Sequence, residues 1–152
     1  MPAQRRELEF QDLGEVIGEL HGLRDNGYDR AGAWTLGQVS DHLAVFFRGS
    51  LDGFTQKVPW IIRALFGRMI FRSIIRRRGM RAGIKVPKSF LPQDVRDDHV
   101  AVDELTQLID RFRNHEGEYE PSPLFGHLTR HEWTQLHLVH CAHHISFLVP
   151  AE

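Results

Sequence analysis

Cysteine is almost missing from this chain. Cys141 is its only one, so no disulfide can form within the chain, and a reducing compartment is expected. No apolar run approaches the roughly 18 residues of a membrane-spanning helix. The opening Met-Pro-Ala-Gln-Arg-Arg-Glu-Leu-Glu lacks the apolar core of a signal peptide. Repeats, low-complexity tracts and linkers are absent, and no segment keeps up the alternation of a strand. No zinc-finger, helix-turn-helix or aromatic RNA-binding signature is present, so nucleic acid is not an expected partner. A cytoplasmic, helical protein is therefore the expectation. Its 152 residues are expected to form one domain, 1–152, long enough to bury a core. A hydrophobic content of 41% and a charged content of 26% are ordinary for such a domain.

Acid is missing from one stretch. From Lys57 to Lys88 there are ten Lys or Arg and no Asp or Glu, although the net charge of the whole chain is only −1. The same stretch holds Trp60, Ile61, Ile62, Leu65, Phe66, Met69, Ile70, Phe71, Ile74 and Ile75. It reads as a cationic amphipathic segment. The first reading is a docked surface helix with a solvated basic face. Recruitment of an anionic substrate, a membrane surface and nucleic acid follow in that order, and a membrane is not the expected partner.

Four stretches carry a helical stripe. The first runs from about Arg5 to Leu23 through Leu8, Leu13, Val16, Ile17 and Leu20. Asp25-Asn-Gly27 then reads as a turn. In the second, Thr35-Leu-Gly-Gln38 fits a capping box, and Val39, His42, Leu43, Phe46 and Phe47 continue to Gly53. His42 lies three residues after Val39 and four before Phe46, on the face that should be buried. Trp60 to Arg78 reads as a shorter basic helix, and Gly79 to Pro92 as an irregular crossing. A third long helix starts at Asp94-Val-Arg-Asp97 and carries Val102, Leu105, Leu108, Ile109 and Phe112. After a loop from Asn114 to Gly126, Thr129-Arg-His-Glu132 is a second capping box. It opens the last helix, which stops at Pro150. The class is all-α. The expected architecture is an antiparallel four-helix bundle, with an extra basic helix and a long crossing loop between its second and third helices.

Four of the ten histidines fall between His137 and His144. His140 and His144 are spaced i, i+4, which puts two imidazoles on one helix face, one turn apart. Two such rings can share a metal ion. His42, from the face of another helix, would complete a set of three. Three neutral imidazoles leave a divalent cation an open position, the mark of a catalytic site. His137 also falls within roughly 60° of this face at 100° per residue, as an alternative ligand or a hydrogen-bond donor to one. Zinc, nickel, iron(II) and manganese all suit imidazole, with zinc or nickel first. Cys141 is rotated 100° from His140 and reads as a core residue. Asp41 points equally far from His42. His21, His99, His115, His127 and His131 read as surface residues, and His143 as a flank residue.

Three motifs then connect. Trp34-Thr-Leu-Gly-Gln-Val-Ser-Asp-His42-Leu-Ala, Leu124-Phe-Gly-His-Leu-Thr-Arg-His-Glu-Trp133 and His140-Cys-Ala-His-His144-Ile-Ser-Phe resemble the DinB-like (YfiT-like) superfamily of metal-binding four-helix bundles. The likeness is closest to a subfamily known only as a domain of unknown function, and Gly79-Met-Arg-Ala-Gly-Ile-Lys-Val-Pro87 is similar too. The resemblance covers nearly the whole chain. It implies ligands at His42, His140 and His144. It also implies thiol-dependent transferases and isomerases that use a low-molecular-weight thiol, so a thiol-dependent S-transferase or a hydrolase acting on a small-molecule substrate is the expectation. One departure stands out: relatives often carry His-Pro before the Phe-Gly, whereas this chain has Ser122-Pro123.

Three functions follow in order of expectation. The first is a metal-dependent transferase or hydrolase. The second is a non-catalytic bundle with a structural metal or none. The third is an interaction module built on segment 57–88. A homodimer would cover Trp60, Ile61 and Phe66.

Overall fold

The computed structural model describes residues 2–56, 58–81, 86–92 and 94–152. Lys57 and residues 82–85 of the middle motif lie outside the described residues. The described chain is mostly helical, with one small two-stranded sheet, in keeping with an all-α class. The long helices are α1 (Leu13–Asn26), α2 (Leu36–Asp52), α5 (Asp98–Arg113) and α6 (Arg130–Ile145). Between α2 and α5 the chain forms α3 (Trp60–Ile62), a π-helical turn (Arg63–Gly67), α4 (Arg68–Arg77) and a 3₁₀ turn (Lys88–Phe90). No helix among the described residues is long and apolar enough to cross a membrane.

Side-chain caps set the helix starts. The Thr35 hydroxyl accepts from the Gln38 N–H while the Gln38 side chain accepts from the Thr35 N–H, which is the full capping box expected. Thr129 caps α6 through the Glu132 N–H, but the Glu132 carboxylate turns outward to Arg68. The first helix begins at Leu13 rather than Arg5. Asp12 is its cap, accepting from the Glu15 N–H, and the residues before it lie along the end of α6, where the Arg6 N–H reaches Ser146 O at 3.1 Å. It also runs past Leu23 to Asn26, so only Gly27 turns, at φ +86°. In the same way Asp97 caps α5 and residues 94–97 stay outside the helix.

Strands were not expected. β1 (Tyr28–Arg30) pairs antiparallel with β2 (Leu148–Pro150), which ends the last helix before Pro150. Pro150 is tolerated because it sits at the end of a two-stranded edge. Beside the sheet, Tyr28 Oη donates to Asp98 Oδ2 and accepts from the Leu36 N–H, both at 2.9 Å, while Asp98 Oδ1 accepts from the Gly37 N–H. A Cβ on Gly37 would lie 2.5 Å from Arg96 O, so only glycine lets the start of α2 approach α5 this closely.

The helix directions correct the expectation of an all-antiparallel arrangement. Gly37 meets Asp98, Phe47 meets Phe112 and Asp52 meets Arg111, so α2 and α5 run parallel. The long crossing carries the chain back to the same end before α5 starts. By contrast, Arg24 meets Asp103 and His21 meets Thr106, so α1 opposes α5. His42 meets His140 and Phe47 meets His137, so α6 opposes α2. The core between them is Leu20, Leu36, Leu43, Phe47, Leu105, Phe112, Trp133, Leu138 and Ile145, all buried.

The basic segment departs from expectation in its outer face. Phe71 is buried, and Ile74 and Ile75 are half-buried against the core. Trp60, Ile61, Ile62, Leu65, Phe66, Met69 and Ile70 remain exposed rather than docked. The π turn shifts the helical phase, so the apolar residues before it do not continue the core-facing stripe of α4. A Cβ on Gly67 would lie 2.6 Å from Leu124 O, which keeps the end of that turn tight against the loop before α6.

Candidate metal centre

His42, on the buried face of α2, meets His140 and His144, one turn apart on α6. One nitrogen from each ring can be chosen so that all three lie within 4.8 Å of one another. The closest pair is His42 Nε2 and His140 Nε2, at 3.1 Å. Nitrogens bound to a tetrahedral ion at 2.0–2.1 Å sit about 3.3 Å apart. One pair is therefore at ligand spacing, and closing the set around an ion would take a contraction of up to about 1.5 Å.

The protonation of His42 is fixed by its surroundings. Its Nδ1 lies 2.5 Å from Phe90 O. A carbonyl can only accept, so Nδ1 carries the proton and Nε2 presents a lone pair to His140 and His144. A backbone carbonyl in this position is the usual orienting partner of a metal-binding imidazole. Burial holds all three imidazoles below their ordinary pKa, His144 down to about 2. They are neutral at pH 7, as ligands must be.

Aromatic rings hold the set in place. Trp34 stacks on His144 with ring centroids 5.4 Å apart and planes 17° from parallel, and also touches His42. Phe46 packs edge-on against His140 and His42 and stacks on Phe90. His42 and His140 are buried, while His144, beside Trp34, is partly exposed. Trp34 and the Phe90 carbonyl went unrecognised as parts of the site in the sequence. The Trp34 motif was a signal, but nothing in a side-chain pattern marks a carbonyl in an irregular crossing.

His137 is not part of the cluster. It sits one turn before His140, in a lower layer of the core, stacked on Phe47 at 3.8 Å and on Trp133 at 5.1 Å. Angle around the helix groups it with His140 and His144, but its distance along the axis separates it. Ser50 Oγ donates to Phe47 O, so the 3.3 Å contact is His137 Nε2–H donating to Ser50 Oγ. Burial lowers its pKa to about 3.

The other residues take structural places. Cys141 is buried, which pushes its thiol pKa up and removes it as a nucleophile. Asp41 pairs with Arg96 at 2.8 Å. Burial, then Arg5, bring His143 down to about 4; its Nδ1 accepts from Arg5 at 3.2 Å. Ser122 is a turn residue whose Oγ accepts from the Leu124 and Phe125 N–H groups. His99, His127 and His131 are exposed as expected, while His21 and His115 are half-buried.

A family model described as a protein of unknown function (DUF1569) matches residues 2–151. No curated protein and no solved structure matches the chain.

Proposed function

The chain belongs to the DUF1569 family, and from its own site we propose that it is a metal-dependent enzyme of the DinB-like kind, a four-helix bundle with one long crossover. In this reading His42, His140 and His144 hold one divalent ion, zinc or nickel first. The reaction is transfer of a small thiol to an electrophile, or hydrolysis. The observation that carries the reading is the His42 tautomer: Phe90 O takes the Nδ1 proton and turns the Nε2 lone pair onto His140 and His144. Without an ion the same lone pair would accept from His140 Nε2–H at 3.1 Å, so metal content is what separates a ligand set from a hydrogen-bonded core pair.

When bound, a divalent ion supplies Lewis acidity and lowers the pKa of a thiol or water beside it. The residues supply the rest. Three neutral imidazoles cancel none of the ion's charge. Trp34 and Phe46 fix the rings and keep water from the buried side. In this reading a small molecule would reach the ion past His144, the one partly exposed member of the set.

Metal analysis by mass spectrometry tests this, on untagged protein beside His42→Ala, His140→Ala and His144→Ala. The expected result is about one divalent ion per chain, lost in all three variants while helical circular dichroism persists. A wild type that stays empty after reconstitution with zinc, nickel, iron and manganese would overturn the reading, as would variants that keep full metal.

A further inference from the structure

We propose that the α3–α4 segment is a docking surface for an anionic lipid bilayer. Seven large apolar side chains in eleven consecutive positions, Trp60, Ile61, Ile62, Leu65, Phe66, Met69 and Ile70, are each between 45% and 67% exposed. Scattered surface leucines need no account, but a contiguous set does. α4 attaches this set to the protein through Phe71, Ile74 and Ile75, at i, i+3 and i+4, and turns Met69, Arg72 and Arg76 outward.

Charge selects the occupant. The segment from Lys57 to Lys88 has no acidic residue. Arg68 and Arg78 have partners in Glu132 and Glu9. Among the described residues, Arg72, Arg76, Arg77 and Arg81 make no ion pair. A second copy of the chain, meeting this face symmetrically, would set arginine against arginine. A nucleic acid would meet the arginines but leave the aliphatic row in water. A bilayer with anionic headgroups serves both: the apolar row enters the headgroup–acyl boundary, where tryptophan is at home, and the arginines stay among phosphates. Next to the row is a groove of about 970 Å³ in which Met69, Ile70 and Met80 stand beside Arg76, Arg77 and Arg81. That pairing matches the chemistry of an acyl chain under an anionic head. The segment lies on the surface and does not span it.

Co-sedimentation of the full chain with vesicles tests this independently of the metal. The expected result is binding to phosphatidylcholine vesicles containing phosphatidylserine, no binding to pure phosphatidylcholine, and loss of binding at high salt. Neutralising an arginine near a charged surface weakens binding about fivefold, so Arg72→Gln, Arg76→Gln and Arg77→Gln together should weaken it about 100-fold. Trp60→Ser with Leu65→Ser should weaken it by about tenfold or more with the arginines intact. These positions are exposed, so circular dichroism should not change. Absence of binding to the anionic vesicles at low salt overturns the proposal. So does equal binding by the triple variant, a dimer in sedimentation that Trp60→Asp dissolves, or binding to duplex DNA without binding to vesicles.

Discussion

Replacing His137 with phenylalanine should make the protein less stable at neutral pH and more stable in acid. In the unfolded chain the imidazole takes a proton near its ordinary value of 6.5, but in the folded chain only near 3. Between those values the unfolded state holds the extra proton. Stability therefore falls as pH falls, by about 1.4 kcal/mol per unit. At pH 4.5 the cost of this one histidine reaches about 2.7 kcal/mol. Phenylalanine keeps the stack on Phe47 and Trp133 and removes only the hydrogen bond to Ser50, a loss of about 1 kcal/mol at any pH. The two proteins should be equally stable near pH ~5.8, with the variant ahead by about 1.7 kcal/mol at pH 4.5. Urea unfolding at pH 7.5 and 4.5, in excess chelator and followed by circular dichroism, gives both numbers. Chelation makes the protonation of His42, His140 and His144 common to both proteins. An unchanged stability gap at the two pH values would refute the argument that burial keeps His137 neutral. Metal content should be the same in both proteins, since His137 Nε2 already donates to Ser50.

Two further outcomes follow from contacts around the site. Trp34→Leu removes the ring stacked on His144, and competition with a chelator should show metal held about tenfold more weakly, with the helical signal unchanged. Tyr28→Phe strands the Leu36 N–H and one oxygen of Asp98, and chemical denaturation should show a loss of about 1–3 kcal/mol.

The triad was legible because it rests on local rules. The i, i+4 spacing of His140 and His144 puts them on one face of any helix, and Val39 and Phe46 mark the buried face around His42. The Thr35 and Thr129 caps were legible for the same reason, since a cap is a contact across three residues. What the sequence hid depends on the third dimension. His137 shares an angle with the triad, but its layer is decided by Phe47 and Ser50 on another helix. The start of α1 was set by Asp12, which ends a hydrophobic stripe that continues on paper through Leu8. Three-residue strands are too short to show alternation, and Pro150 argued against the second. In the basic segment the composition revealed an apolar face. The phase shift at the π turn, which turns half of that face away from the core, carries no signature in composition.

The parallel run of α2 and α5 has a kinetic meaning. Antiparallel neighbours close as a hairpin, but a parallel pair must wait for a long loop to return. The bond from the Gly37 N–H to Asp98 joins residues 61 apart in sequence. Folding of this molecule should therefore be slower than that of helical proteins built on local contacts. Equilibrium stability barely registers the detour, because closure entropy grows only logarithmically, and doubling a loop costs about 0.6 kcal/mol. The crossing can thus lengthen, shorten or acquire a helix of its own while the packed helices on either side stay as they are.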